Sequence, residues 1–486
     1  MNPMTKPRTI ATALTTNAFD VYLNLDKRGI IDLVYFITED TQLKHPKHLC
    51  NIPYLSMDYP PETIELFRKY TEGIHYDDEL YEKFHSHMYR LSCNIGRHDK
   101  DFQYIPSHDY VHSINMIYRF YYGLLLKEKI ELVIFGYTPH VGHDNILYWI
   151  CELIGIKTII THPCCTIGSN KPFMQYAFNL SDSISFHNID THFRNVNETI
   201  NDTFNFIHPC TKFFKPYKKN FPLQNYLNPL RGIRNAWNFI CSRDSNGRNL
   251  WDKAIHSLAI QSRAYFLYRD YKKSQAKHFG TYDDSKKFVY FALHYQPELT
   301  TSMRGIYEDQ LLALERLSAI IPKDWIIYAK ENPTQREYMR GDLFFKRMSL
   351  IPNVCYLDAL IPSSNLLKKC QFVASINGSV TFESISGGKP ALIFGEAWWD
   401  ILPGVIKYHS NITIDEILST KIDKKILLQS LNNYLSKTPN ATTDYEDILR
   451  QFNPEFSHEE NIKTLENFIE GLVRRVIAKA ADNLPL

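Results

Sequence analysis

Ile130-Glu-Leu-Val-Ile-Phe135, Gly136-Tyr-Thr-Pro-His-Val-Gly-His-Asp144, residues 145–153 and Ile156-Lys-Thr-Ile-Ile160 follow one another without a break, and their reading decides the fold. The first segment is a short apolar run bounded by polar residues, the pattern of a strand buried on both faces. The second is a polar loop carrying Gly and Pro. The third is an amphipathic helix ended at Gly155, and the fourth is another strand. Strand, loop, helix and strand in this order make one right-handed βαβ unit. Ligands of such sheets gather at the carboxyl ends of the strands, so chemistry is expected in the 136–144 loop.

The same alternation extends outward. Residues 29–40 read as a buried strand ending in acidic residues, and 62–125 as mainly helical. A second series starts at Lys287-Phe-Val-Tyr-Phe-Ala-Leu293. Strands follow at 325–330, 354–357, 372–376 and 390–394, with helices at 306–320, 344–349, 363–369 and 380–386 between them. Helices are also expected near 245–275. The pattern predicts an α/β protein of two Rossmann-like domains facing a cleft. Their expected bounds are 1–280, with helical insertions, and 281–460. A final amphipathic helix within 461–486 is expected to pack back on the first domain.

Composition narrows the class. With 486 residues the chain is too long for one ordinary core. Hydrophobic residues at 44% and charged residues at 22% are globular rather than disordered values. A net charge of +2 argues against a nucleic-acid binder, although Lys215, Lys218 and Lys219 form a local basic patch. The 9 Cys are odd in number and contain no Cys-x-x-Cys pair, a reduced cytoplasmic usage. The first residues lack the apolar segment of a secretory signal, and no apolar run is long enough to span a bilayer. A cytoplasmic protein is expected, soluble or peripheral to the inner membrane. Residues 227–241, with Arg231, Arg234, Trp237 and Phe239, read either as an ordinary surface helix or as a face for an anionic membrane.

Four segments carry candidate chemistry. In Ser375-Ile-Asn-Gly-Ser-Val-Thr-Phe-Glu383 a strand runs through Asn377 and Gly378 directly into a helix. Gly378 permits close backbone approach, and the amides and dipole of the helix favour a phosphate. Ser379 is placed to cap that helix or bind the phosphate, and Glu383 to accept from ribose hydroxyls. An Asn-Gly turn with a serine cap explains the same residues without a ligand. The loop Leu293-His-Tyr-Gln-Pro-Glu-Leu-Thr-Thr301 offers His294, Gln296, Glu298, Thr300 and Thr301, as donor contacts or as loop and cap residues. In Tyr328-Ala-Lys-Glu-Asn-Pro333, Lys330 is a candidate for phosphate charge and Glu331 for a base or ribose; a solvated strand end is the plain alternative. His140, His143 and Asp144 are candidates for a general base. Metal binding and a helix cap by Asp144 are the rival readings there. Glu39 and Asp40 are second candidates for the base.

Taken together, the 293–301, 328–333 and 375–383 segments, with Gly388-Lys-Pro390 and Phe394-Gly395, resemble the capsule polysaccharide biosynthesis family, which is related to the capsular Kdo transferases. The Pro139-His-Val-Gly-His-Asp144 segment is similar to a motif of its relatives. The resemblance covers about 287–400 and 130–165. It implies a GT-B glycosyltransferase acting on a capsular or surface polysaccharide. It implies a nucleotide-sugar donor in the C-terminal domain, a glycan or lipid-linked glycan acceptor in the N-terminal domain, and no cofactor or essential metal. One departure is Asn332, where relatives often carry His before the proline; Asn donates a hydrogen bond there but supplies no proton. A nucleotide-sugar epimerase of the same fold and a non-catalytic glycan-binding or assembly protein are the alternative functions.

Overall fold

The computed structural model describes residues 6–38, 43–50, 61–75, 77–92, 107–140, 142–165, 173–178, 266, 269–296, 301, 307–333, 335, 340–436, 438–439, 441–443 and 457–482. Glu39, Asp40, Lys215, Lys218, Lys219, Glu298, Thr300, the 227–241 stretch and the expected helix before 266 lie outside the described residues. The chain forms two compact α/β units, Met1–Thr203 with Leu431–Leu486, and Phe204–Ser430.

The first unit is built on a sheet in the order β3-β2-β1-β4-β5-β6. Its strands are β1 (Arg8–Thr12), β2 (Asp32–Ile37), β3 (His48–Leu49), β4 (Leu132–Phe135), β5 (Lys157–Cys165) and β6 (Phe173–Phe178). All neighbouring pairs are parallel except β5 with β6. Helix α1 (Phe19–Lys27) follows β1. Next come α2 (Pro61–Thr71), α3 (Asp78–His85) and α4 (Ser107–Lys127), and α5 (His143–Ile154) joins β4 to β5. That crossover is the βαβ unit read from the sequence, with α5 ended by Gly155 in the left-handed region at φ 76°. Strand β1 and the short β3 and β6 carried no distinct signal. β1 is a run of five residues within a polar N-terminal stretch, yet it lies at the centre of the sheet.

The second unit repeats the order as β12-β11-β10-β7-β8-β9, all parallel. These are β7 (Phe288–Ala292), β8 (Ile326–Lys330), β9 (Val354–Leu357), β10 (Val373–Ser375), β11 (Ala391–Ile393) and β12 (Val405–Lys407). The helices are α6 (Gln310–Ile320), α7 (Asp342–Ser349), α8 (Ser363–Lys369), α9 (Ser379–Ser386), α10 (Ile414–Ser419) and α11 (Lys424–Ser436), the last reaching into the first unit. Alternate side chains of β7 serve opposite layers, as strand geometry demands. Val289 and Phe291 join Leu311, Leu314 and Leu317 of α6, whereas Phe288 and Tyr290 join Leu366 of α8 and Val380 of α9. Covered on both faces, the strands must be apolar throughout, which is why they were legible.

Each sheet reverses its strand order once, at β1/β4 and at β7/β10. At such a switch point the loops leave in opposite directions and open a crevice. Helix α12 (His458–Asp482) returns to the first unit and packs on α1. There the Asn24 amide donates to Glu466 at 2.7 Å and Arg28 pairs with Glu466 and Glu470.

Close helix contact in the first unit depends on one glycine. A Cβ built on Gly123 of α4 would lie 1.7 Å from the backbone oxygen of Tyr70 in α2. Gly123→Ala is expected to cost about 3 kcal/mol, the upper part of the overpacking range. A thermal melt of the purified variant checks it.

Candidate functional site

The candidate residues fall at the two switch points, each in its own unit. In the second unit, strand register sets one row at the carboxyl edge of the sheet. Leu357 pairs with Lys330, Lys330 with Ala292, Ala292 with Ser375, and Ser375 with Ile393. The loops holding His294, Glu331 and Asn377 all leave from this row.

Asn377 and Gly378 turn directly into α9, which begins at Ser379. Gly378, not Ser379, is the N-cap, and no side chain caps the helix; Ser379 is exposed. The glycine is required for a reason other than the expected ligand approach. Its φ of −72° suits any residue, but a Cβ would lie 2.8 Å from Ser375 Oγ and 3.2 Å from His294 Nε2. His294 is buried against this turn. Its Nε2 accepts the Asn377 backbone N–H at 3.2 Å and lies 3.0 Å from Ser375 Oγ. A backbone N–H can only donate, so the Nε2 lone pair is committed to holding the turn.

Lys330 ends β8 with 6% of its surface exposed. Its ammonium makes no hydrogen bond or ion pair among the described residues. Burial lowers its pKa, and the charges of Glu331, Asp358 and Glu383 partly oppose that shift. An ammonium desolvated at a sheet's carboxyl edge is a candidate for meeting an anion. Half-buried Glu383 also stands close enough for its charge to be felt by Tyr290.

Glu331 is placed differently from the expectation that it reads a ligand. Its carboxylate accepts from Arg340 Nη1 at 2.5 Å, the Tyr356 hydroxyl at 2.8 Å and the Asn332 amide at 2.7 Å. Neither it nor Lys330 forms a solvated strand end. Gln296 is likewise part of the loop framework: its backbone N–H donates to Gln335 Oε1 at 2.9 Å, and its side-chain oxygen accepts from Arg340. Thr301 is buried. Sequence reasoning missed Arg340, which is buried and engages His294, Gln296 and Glu331. An isolated arginine beyond the motif gave no signal.

In the first unit, Gly136 leaves β4 beside the end of β1, its N–H bonded to Thr12 O at 2.7 Å. The Thr443 hydroxyl donates to Gly136 O at 2.9 Å, so a segment far along the chain fixes the loop's start. Asp144 is fully buried. Its carboxylate accepts the backbone N–H groups of His140 at 2.8 Å, Gly142 at 3.1 Å and Asn145 at 2.8 Å. It therefore shapes the loop and is not the N-cap, which is Gly142. His143 is buried too, with Nδ1 2.8 Å from the Tyr121 hydroxyl. Burial, with the Asp144 charge adding to it, holds that phenol well above its ordinary pKa, so the hydroxyl stays protonated beside the imidazole. His140 alone of the three retains partial exposure. Its Nδ1 lies 2.9 Å from the Thr138 carbonyl, which can only accept. The proton therefore sits on Nδ1 and the basic lone pair on Nε2.

The chain matches no protein-family model and no curated protein. Among solved structures it aligns with the Thermosulfurimonas dismutans KpsC beta Kdo 2,7 transferase at 9% identity, over 71% of this chain and 88% of that one, with a TM-score of 0.30. A UDP-GlcNAc 2-epimerase from Neisseria meningitidis, bound to UDP-GlcNAc, aligns at 11% identity over 97% and 100% of the two chains, TM-score 0.22. A glycosyltransferase from Rickettsia africae aligns at 12% over 96% and 99%, TM-score 0.24. Likenesses of this size leave functional inference to the geometry of the site.

The two roles in the 136–144 loop separate by stability. Asp144→Asn has one acceptor oxygen for three amides and is expected to lose about 3 kcal/mol. His140→Ala loses the Nδ1 contact with the Thr138 carbonyl and the edge-on packing against Tyr137, about 1 kcal/mol. Urea midpoints of the two variants check the difference.

Proposed function

We propose that the chain is a GT-B-type glycosyltransferase of capsule or surface-polysaccharide assembly, independent of metal, that moves a sugar from a nucleotide-sugar donor to a glycan or lipid-linked glycan acceptor. The carrying observation is a contrast between the two switch points. In the first unit the loop amides around the start of α5 are taken by the chain's own carboxylate, Asp144. In the second, the amides of Asn377 and Gly378 are taken by the neutral side chains of His294 and Ser375, and no carboxylate among the described residues meets the start of α9, in the same unit as Lys330, whose buried ammonium has no hydrogen bond or ion pair among the described residues. Only the second is arranged for an external anion.

In this reading the donor phosphate rests on the first turn of α9, at Ser379, and Lys330 supplies positive charge. Glu383 accepts from ribose hydroxyls. Asn377 and His294 hold the turn, Gln296 and Glu331 hold the neighbouring loops, and Glu298 is kept as a donor contact of this reading. His140 Nε2 takes the proton of the acceptor hydroxyl while its oxygen bonds to the anomeric carbon and the bond to phosphate breaks. The departing nucleotide's charge is met by the α9 amides and Lys330. No helix among the described residues is long and apolar enough to cross a membrane. We place the activity in the cytoplasm, at or near the inner membrane.

A panel of CMP-, UDP-, GDP- and dTDP-linked sugars tests this. One nucleotide class is expected to raise the melt, by about 2.7 kcal/mol of added stability at a hundredfold excess over Kd. Acceptor-dependent nucleotide release should then fall at least about a hundredfold in His140→Gln. Sugar interconversion without acceptor would instead assign an epimerase, and the absence of any shift would remove the donor site.

Lys330 adds a pH test. Burial places its pKa in the folded chain below the ordinary 10.5, so between the two values the unfolded chain holds more protons and stability rises with pH. Lys330→Met removes the buried charge. It is expected to melt higher than the parent at neutral pH while losing about tenfold or more in nucleotide affinity. In the parent, affinity should weaken on the alkaline side before pH 10.5 as the ammonium discharges. Melting curves and nucleotide titrations across pH check both.

A further inference from the structure

We propose that Arg340 is a positioning residue for the anion site, joining the loops after β7 and β8 and, through His294, setting the turn from which α9 starts. Its two terminal nitrogens reach three acceptors. Nη1 donates to Glu331 Oε1 at 2.5 Å, and Nη2 donates to the His294 carbonyl at 2.6 Å and to Gln296 Oε1 at 3.2 Å. Both members of the Arg340–Glu331 ion pair are buried, with side-chain exposures of 1% and 2%. The guanidinium also lies over the Phe344 ring, 4.5 Å from its centroid, which fixes the plane of the fork. Nε is buried without a hydrogen-bond partner among the described residues, so the terminal nitrogens alone orient the group.

The consequence passes through residue 294. Its backbone is held from a second direction by Gln310, which accepts the His294 N–H at 2.7 Å and donates to its carbonyl at 3.1 Å. With the backbone held at both groups, the imidazole has a fixed origin from which to accept the Asn377 N–H. Arg340 and α9 are thus separated by one residue. On the other side, Glu331 directly follows Lys330, and its second carboxylate oxygen takes the Tyr356 hydroxyl of β9. The end of β8, and with it the root of the Lys330 side chain, is pinned by the same guanidinium. A single side chain therefore sets the separation between the α9 amides and the lysine. Lysine cannot replace it, because an ammonium lacks the planar fork that serves loops on two strands at once.

This rests on the donor-site reading for its functional arm only. The test compares the full-length parent, Arg340→Lys and the double variant Arg340→Met with Glu331→Met. Nucleotide titration and amide hydrogen exchange are measured on each. Arg340→Lys is expected to bind the preferred nucleotide about tenfold or more weakly. Exchange at residues 377–381 should rise by about tenfold, with no change at 311–317 in α6. The double variant replaces a buried ion pair by apolar side chains and should regain the apo melting temperature. It should regain neither nucleotide affinity nor protection at 377–381. Unchanged exchange in Arg340→Lys, or recovery of both affinity and protection in the double variant, overturns the proposal. Should the parent bind no nucleotide, the donor reading fails, and the exchange comparison still decides whether Arg340 sets the turn.

Discussion

Once the crossover brings β10 beside β7, the amide of Asn377 donates to the imidazole of His294. That bond spans the point where the strand order of the second sheet reverses. It requires a residue without a Cβ at 378, because the space above the turn is already taken by the ring and by Ser375. It also fixes the direction in which α9 leaves the sheet, and therefore where its first amides point. The features read as a phosphate site depend on this contact: the uncapped helix start, the exposed Ser379, and Glu383 one turn further on.

Electrostatics then decides between the two switch points. A helix start carries a partial positive charge that favours an anion, whether a side chain or a ligand. Asp144 answers that demand inside the first unit and in doing so gives up the role of base, since its oxygens are occupied by three amides. His143 is buried, with its Nδ1 against a tyrosine hydroxyl that burial keeps protonated. His140 remains as the residue with a basic nitrogen and partial exposure, and its backbone is held by the carboxylate four residues on.

Much of the architecture was readable because strands covered on both faces must be apolar runs. Val354–Leu357 and Ser363–Lys369 form with the bounds the pattern gives, and β4, β7 and β8 lie within theirs. Central β1 was invisible for a physical reason: its five residues include Arg8, Thr9 and Thr12, and its membership is decided by pairing with β2 and β4 rather than by its own hydrophobicity. At the candidate site, the loops named from residue type meet at one sheet edge in the second unit, while several of the named side chains are held by internal partners. Glu331 and Asp144 carry charges that suggest ligand contact, but each is consumed by partners distant in sequence or by its own loop amides. No spacing rule announces Arg340, whose three acceptors come from two other loops.

A difference in cost explains why the two charged residues at the end of β8 behave so differently. Glu331 and Arg340 compensate each other's desolvation and gain a tyrosine hydroxyl as well. Lys330, one residue away, has comparable burial and is compensated only in part, by the charges of Glu331, Asp358 and Glu383 without a direct ion pair among the described residues. A chain that builds a complete ion pair at one position can build one at the next, so an unmatched lysine there is not forced by the fold. In the proposed donor site an entering anion would offset that cost, because the interaction would form where water is already depleted. The stability sacrificed at Lys330 and the binding energy assigned to it are thus two sides of one electrostatic arrangement.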